Sequence, residues 1–297
     1  MSGISMTVTV LGTGTMGQGI AQVSAQSGHT TRLFDVAEGR ASTALKGIGA
    51  QLEKLVGKGK ITGDARHQTM SRLSAASSAA DACAGADVVI EAVPEDMKLK
   101  VEVLRPLLAL AGKHAIVASN TSSLSITELG TRLEVADRTI GLHFFNPPPV
   151  MELVEVVRGL ATSEDTLARA LSFVKGLGKT PIVVRDVPGF ATSRLGVILG
   201  AEAMRMLETG VASAEDIDRG MELGYRHPMG PLKLTDLVGL DVRLAILEHL
   251  HREIGEQFRP PAILRKLVRA GRLGKKVGAG FYRWTDEGPV PFDSPSG

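Results

Sequence analysis

The first half of the chain alternates short, β-branched apolar runs with segments whose apolar residues recur at helical spacing. Residues 6–11 (MTVTVL), 30–35 (TTRLFD), 87–93 (DVVIEAV) and 114–120 read as strands. Residues 16–27, 37–56 and 97–110 read as helices, with a glycine-rich break at 57–63. A strand–helix alternation of this kind predicts a parallel sheet covered on both faces. Two further strands follow at 139–145 (TIGLHFF) and 151–157 (MELVEVV). Only residues 146–150 separate them, and a parallel crossover needs about a dozen residues. This pair is therefore expected to be antiparallel and to lie at the end of the sheet. A helix at 165–177 and a strand at 181–186 close the first domain.

After Pro188-Gly189 the period changes. Helical patterns occupy 195–207, 232–250 and 262–270, and almost no strand signal remains. Ser213 followed three residues later by Asp216 resembles a capping box, with Asp in place of the usual Glu or Gln. The expected organisation is an α/β domain over 1–186 and an all-helical domain over 187–297. The segment from Asp286 (DEGPVPFDSPSG) has loop composition and is expected to fray. The length of 297 residues agrees, at roughly 150 per domain.

Composition narrows the partners. The 34 basic and 32 acidic side chains leave a formal charge of +2, so no strong field of one sign exists. That balance, with aromatics at only 4%, argues against nucleic acid. The single cysteine, Cys83, excludes an internal disulfide and a cysteine-rich metal site, and no metal is expected. No apolar run reaches the roughly 18 residues of a membrane span, and the amino terminus has no basic, cleavable leader pattern. A cytoplasmic setting fits these features.

Gly12-Thr13-Gly14-Thr15-Met16-Gly17 is a GxGxxG between the first strand and the first helix. Asp35 ends the second strand, 18 residues after Gly17. Motif, context and spacing match the dinucleotide fingerprint of a Rossmann-type doubly wound sheet. Gly12 allows the tight turn, Gly14 lets the backbone approach a pyrophosphate, and Gly17 lets the helix pack closely. The helix start at Thr15 and Met16 offers free N–H groups to phosphates. Asp35 can accept from ribose hydroxyls and opposes a 2′-phosphate, which favours NAD; Arg32 and Arg40 nearby leave NADP open.

Chemistry concentrates between Ser119 and Glu155. The small polar residues 119–123 follow a predicted parallel strand, at the edge where open α/β sheets hold ligands. Ser123 and Ser125 read most simply as caps of the next helix, whereas Ser122 could present its hydroxyl to a substrate. His143 lies near the end of a strand. Glu155, on the predicted return strand, is a carboxylate in an apolar run and needs a partner. A cross-strand His143–Glu155 pair satisfies both groups and fixes the imidazole tautomer. That is the arrangement of an oriented general base. A structural core histidine is the plainer alternative.

The ordered blocks VLGTGTMGQG (10–19), SNTSSL (119–124), GLHFFNP (141–147), MELVEV (151–156), DVPGF (186–190), HPMG (227–230) and GAGFY (278–282) resemble the 3-hydroxyacyl-CoA dehydrogenase family. The likeness covers about residues 6–284 and is nearest to the single-function 3-hydroxybutyryl-CoA type. It implies an NAD-dependent oxidation of an acyl-CoA, with His143 as the base and Glu155 orienting it. It implies that Ser122 and Asn146 hydrogen-bond substrate or cofactor near the reacting carbon. Glu95, Lys100 and Lys276 match positions that contact NAD, and Lys58 matches a lysine that reaches coenzyme A. The family pattern departs at Ser193, where an Asn that bonds the substrate is usual; serine reaches less far. Gln51 stands where relatives place a serine facing coenzyme A.

Several cations and methionines are less specific. Lys54, Lys58 and Lys60 suit coenzyme A phosphates or are ordinary surface lysines. The basic run Arg265, Lys266, Arg269, Arg272, Lys275 and Lys276 reads mainly as a solvated face, with nucleotide or partner contact open for the last two. Met204, Met206 and Met221 suit core or dimer packing, and a homodimer through the helical domain is expected. Two competing readings are a sugar-acid dehydrogenase of the same fold family and a non-catalytic nucleotide-binding protein.

Overall fold

A computed structural model of the chain describes residues 5–292. The chain forms two compact units, Met1–Val187 and Pro188–Gly297.

The first unit runs β1 (Thr7–Leu11), α1 (Thr15–Gln26), β2 (Thr30–Phe34), α2 (Arg40–Gly57), α3 (Gly63–Ser71), β3 (Leu73–Ala75), α4 (Ala79–Cys83), β4 (Val88–Glu91), α5 (Met97–Leu108), β5 (Ile116–Ser119), α6 (Ile126–Leu133), β6 (Thr139–Phe144), β7 (Leu153–Arg158), α7 (Glu164–Gly176) and β8 (Thr180–Arg185). The sheet order is β3-β2-β1-β4-β5-β6-β7-β8. Every pairing is parallel except β6–β7. Strand side chains alternate between two apolar layers. Val8 and Val10 join Ile20, Ile48 and Phe173 on one face. Leu11 and Val89 join Leu104, Leu107 and Leu129 on the other. Burial on both faces explains why β4 and β5 lack a polar stripe. Chain order reverses between β1 and β4, so the crevice for a ligand opens at the carboxyl ends of these strands.

The antiparallel β6–β7 pair forms as expected, yet it does not end the sheet. β8 adds beyond it, parallel to β7, and is the edge. The short β3, α3 and α4 add elements that periodicity does not announce. Ser125 caps α6, accepting from the Glu128 amide at 3.1 Å.

His29, just before β2, is buried; its Nδ1 accepts from the Met6 amide at 3.2 Å, and its buried Nε2 has no partner among the described residues. Burial lowers its pKa from 6.5, against the pull of Asp87. A depressed folded pKa means that the stability tied to neutral His29 is full above about pH 6.5. That stability is lost as pH falls through the folded value, with a slope of at most about 1.4 kcal/mol per pH unit. Melting temperature is therefore expected to fall from pH 7 towards pH 5, and less so in His29→Gln. Parallel profiles for the two proteins would contradict this.

The second unit contains α8 (Thr192–Glu208), α9 (Ala214–Arg219), α10 (Pro231–Val238), α11 (Leu240–Glu253), α12 (Ala262–Arg269), β9 (Tyr282–Thr285) and β10 (Gly288–Pro291). It is helical as expected, with two corrections. The single helix expected over 232–250 is broken at Gly239, which adopts φ +105 between α10 and α11. The segment from Asp286, expected as a fraying loop, contributes β10, which pairs antiparallel with β9; residues 293–297 lie outside the described residues. At α9, Ser213 Oγ accepts from the Asp216 amide at 3.1 Å and donates to its carboxylate at 2.7 Å, close to the expected capping box.

Two buried aspartates organise this unit. Asp218 accepts from the Leu232 amide at 2.7 Å, the Lys233 amide at 3.0 Å and the Tyr282 hydroxyl at 2.7 Å. Asp236 accepts from the Phe281 and Tyr282 amides at 2.7 and 2.9 Å and from Trp284 Nε1 at 3.0 Å. Burial raises the pKa of both, and the donors pull back towards the charged form. A Cβ on Gly280 would fall 2.0 Å from Asp236 Oδ1. The HPMG and GAGFY blocks thus meet these two carboxylates.

Candidate active site

The glycine turn sits at the β1 end of the crevice. Gly12 has φ +93, and a Cβ there would lie 2.7 Å from the Ala92 carbonyl oxygen beyond β4. A Cβ on Gly17 would lie 1.9 Å from the Gly12 carbonyl oxygen, so only glycine lets α1 close on the turn. Gly14 is different: its side is open space. Gly14 caps α1 without a side-chain hydrogen bond, no acid occupies the first turn, and Gly14 and Thr15 are exposed. The helix start, with Met16 behind it, therefore keeps its N–H groups and its positive end for an anion.

Asp35 is tied to this turn. Its Oδ2 accepts from the Thr13 amide at 3.1 Å and the Thr13 hydroxyl at 2.6 Å, and its Oδ1 from the Ala37 amide at 3.1 Å. Burial works against its charge, but the Thr13 and Ala37 donors and Arg40 outweigh it and hold the carboxyl below the ordinary range. The group is an ionised acceptor at neutral pH. Open glycine, bare helix start and anchored carboxylate together fit a dinucleotide with a free ribose 2′-hydroxyl. Asp35→Asn is expected to cut the preference for NADH over NADPH about tenfold or more, as the charge opposing a 2′-phosphate is removed. An unchanged ratio of kcat/KM values would refute this role.

Beyond the β4 and β5 ends lies a polar network that the sequence reading only half found. Glu91 and Lys100 are fully or almost fully buried, at 0% and 1% exposure. Lys100 Nζ lies 2.7 Å from Glu91 Oε1 and 3.3 Å from Glu95 Oε2. Glu91 also accepts from the Val93 amide and the Ser119 hydroxyl, each at 2.6 Å. Burial pushes its pKa up, against Lys100. Glu95 Oε1 gathers the turn after β5: the Thr121 hydroxyl at 2.6 Å, the Ser122 amide at 2.9 Å and the Ser123 amide at 3.0 Å. Its burial is outweighed by Lys100 and these donors, so the carboxyl sits below the usual range. Ser122 Oγ reaches the same oxygen at 3.3 Å and is held half-exposed. Glu91 escaped the sequence reading, although a carboxylate inside the apolar run DVVIEAV is the signal that exposed Glu155.

On the antiparallel pair, His143 stands directly opposite Glu155. His143 Nδ1 lies 2.7 Å from Glu155 Oε2, both side chains are buried, and the Phe145 ring packs 4.7 Å from the imidazole. Asn120 Oδ1 accepts from the Phe144 amide at 2.9 Å and so fastens the β6 end to the β5 end. Asn146 follows, exposed, and its peptide bond to Pro147 is cis. Nδ1 facing a carboxylate places the other ring nitrogen, Nε2, on the far side of the ring from the glutamate. The pair can hold one tautomer and take up a proton with the carboxylate as partner.

A cavity of about 480 Å³ opens between α1, α2 and the proline loop, lined by Gln18, Gln51, Lys54, Leu55, Pro148 and Val150. Lys58 and Lys60 lie outside its lining, exposed at the end of α2. In the second unit, Ser193 lies in the first turn of α8, half-exposed. Lys276 pairs with Asp241 at 2.6 and 2.7 Å. No cluster of three or more metal-ligating side chains occurs among the described residues, and no helix there is long and apolar enough to cross a membrane.

A nucleotide turn at a sheet switch point, with a buried imidazole–carboxylate pair on the same sheet, is the layout of a dinucleotide-dependent oxidoreductase. Two family models match: the NAD binding domain of 3-hydroxyacyl-CoA dehydrogenase over residues 7–187, and its C-terminal domain over 189–284. The chain is 44% identical over 281 residues to a probable 3-hydroxybutyryl-CoA dehydrogenase of Bacillus subtilis strain 168, covering 94% of this chain and 98% of that protein. It is 44% identical over 284 residues to the mitochondrial hydroxyacyl-coenzyme A dehydrogenase of Sus scrofa, covering 93% and 90%. The crystal structure of (S)-3-hydroxybutyryl-CoA dehydrogenase PaaH1 from Ralstonia eutropha superposes with a TM-score of 0.91 at 42% identity, covering 95% of this chain and all of that one. The chain belongs to the 3-hydroxyacyl-CoA dehydrogenase family. It is an NAD-dependent enzyme of that family.

Proposed function

We propose that the protein interconverts short-chain (S)-3-hydroxyacyl-CoA and 3-oxoacyl-CoA, with 3-hydroxybutyryl-CoA as the reference substrate. The observation that carries this reading is the 2.7 Å contact between His143 Nδ1 and Glu155. In the oxidative direction His143 takes the proton of the substrate 3-hydroxyl through Nε2, and Glu155 stabilises the imidazolium that results. NAD, when bound, supplies the hydride acceptor. Gly12, Gly14, Thr15, Met16, Gly17 and Asp35 would hold it. Ser122 and Asn146 flank the reacting carbon, and Glu95 fixes Ser122 there. Lys100 acts through Glu95, because its ammonium is buried among Glu91, Val93 and Glu95. Lys54, in the 480 Å³ cavity, and Lys58 serve the coenzyme A phosphates. By the family resemblance, Ser193 takes the position of the usual asparagine, and Lys276 a position matched to cofactor contact.

Steady-state rates with acetoacetyl-CoA and NADH test the reading. Turnover with acetoacetyl-CoA and none with sugar acids is the expected result; tight NADH binding without turnover would refute it. We further propose a cytoplasmic homodimer formed through the second unit. Leu223, Tyr225, Leu237 and Val242 are exposed there and supply apolar surface. Light scattering at the dimer mass is expected.

A further inference from the structure

The imidazole of His143 stands on an overhang of the sheet. The parallel register of β5 with β6 ends at Ser119 opposite Gly141. β6 runs on through Leu142, His143 and Phe144, each opposite a residue of β7. On the other side β5 has already ended, and Asn120 takes over with its side chain. Its Oδ1 accepts from the Phe144 amide at 2.9 Å. The carboxamide thus adds a rung where the registered backbone pairs stop. A backbone N–H can only donate, so this bond also settles which end of the carboxamide faces β6.

Asn120 reaches across from a fixed footing. Its own amide donates to the Glu91 carbonyl at 2.8 Å. Next to it, the Thr121 amide donates to Ser119 Oγ at 3.2 Å, and Thr121 Oγ1 donates to Glu95 at 2.6 Å. Ser119 Oγ donates to Glu91, and the Lys100 ammonium contacts both glutamates. The buried network of Glu91, Lys100 and Glu95 therefore continues, through Asn120, to the strand that carries His143. Phe144 itself is buried, and the rings of its neighbours His143 and Phe145 pack 4.7 Å apart. A Phe144 amide that drifts from Asn120 carries both neighbours with it.

We propose that Asn120 is a positioning residue for the reaction: through the Phe144 amide it sets where His143 stands between Glu155 and the substrate 3-hydroxyl. This deepens the activity proposed above and rests on its reading of His143 as the base. Catalytic groups need placement to within about 0.5 Å, and an error of about 1 Å costs on the order of 10²-fold. Loss of the rung leaves Glu155 and the glycine turn in place, so the damage falls on the base and not on binding.

The test uses the full-length protein with acetoacetyl-CoA and NADH. Asn120→Ala is expected to lower kcat about 10–100-fold while KM changes less than about threefold. Its pH–rate profile is expected to move in the same direction as that of Glu155→Gln, since both changes loosen the hold on the imidazolium. Asn120→Asp keeps an oxygen for the Phe144 amide and is expected to recover most of the loss. Asn120→Ser, with a shorter acceptor, falls between the two and serves where Asn120→Ala does not fold. In a His143→Ala background, Asn120→Ala is expected to cost less than about twofold more, because the group it places is gone. Four results would each overturn the proposal: near-wild-type kcat in Asn120→Ala, an unmoved pH–rate profile, no recovery in Asn120→Asp, or the same loss with and without His143. Full turnover in His143→Ala alone would instead overturn the base itself.

Discussion

His143→Ala lowers kcat by about 10²–10⁴-fold, the usual contribution of a positioned general base, while NADH still binds with wild-type affinity. The two readouts separate because the residues involved are separate. The glycine turn and Asp35 are built from β1, α1 and β2, whereas His143 and Glu155 face each other across β6 and β7. Glu155→Gln is expected to lose less, since the amide can still accept from Nδ1 but cannot neutralise an imidazolium. The pH–rate profile should also move in Glu155→Gln, which a merely structural role would not produce. Pre-steady-state reduction and NADH fluorescence titration measure the two quantities. A kcat within threefold of wild type in His143→Ala would remove the proposed base.

Lys100→Met is expected to destabilise the protein by about 3–5 kcal/mol, the range for breaking one partner out of a buried ion pair. The substitution strands Glu91, which has 0% exposure, with only the Val93 amide and the Ser119 hydroxyl as donors. It also removes a cation 3.3 Å from Glu95 and so loosens the grip of Glu95 on the Ser122 turn. Stability and KM should therefore both suffer. Combining Lys100→Met with Glu91→Gln should recover much of the stability, because the uncompensated charge is gone. Denaturant melts of the four proteins form the cycle. Losses that simply add would mean that the two side chains do not act as a unit.

Where the sequence was legible, one physical signal dominated. Strands buried on both faces are short apolar runs, so β4 and β5 stand out. The five-residue spacer after Phe145 sets strand direction by reach alone, and that direction brings His143 opposite Glu155. Elements whose signal is weak or contradictory were missed. β3 has three residues. Gly239 interrupts a helical period that continues on both sides of it, and an isolated glycine does not by itself announce a break. Pro289 and Pro291 disguise β10, yet a two-stranded edge tolerates proline because few of its N–H groups are needed. In the site, Glu91 and Lys100 are nine residues apart on different elements, and no period brings them together. Their pairing requires knowing how α5 returns over β4. Family resemblance pointed to Lys100 for a different reason, contact with cofactor, whereas the structure shows its ammonium enclosed by protein groups.

The grip of Asp236 on Phe281, Tyr282 and Trp284 bears on how far the polypeptide can be shortened. Its carboxylate is sealed from water at 0% exposure. A stop codon placed before residue 281 would strip away all three donors at once and orphan an anion in an apolar interior. Trimming after Trp284 spares that anchor. Thus Phe281, Tyr282 and Trp284 act as the clasp on which the helical unit depends.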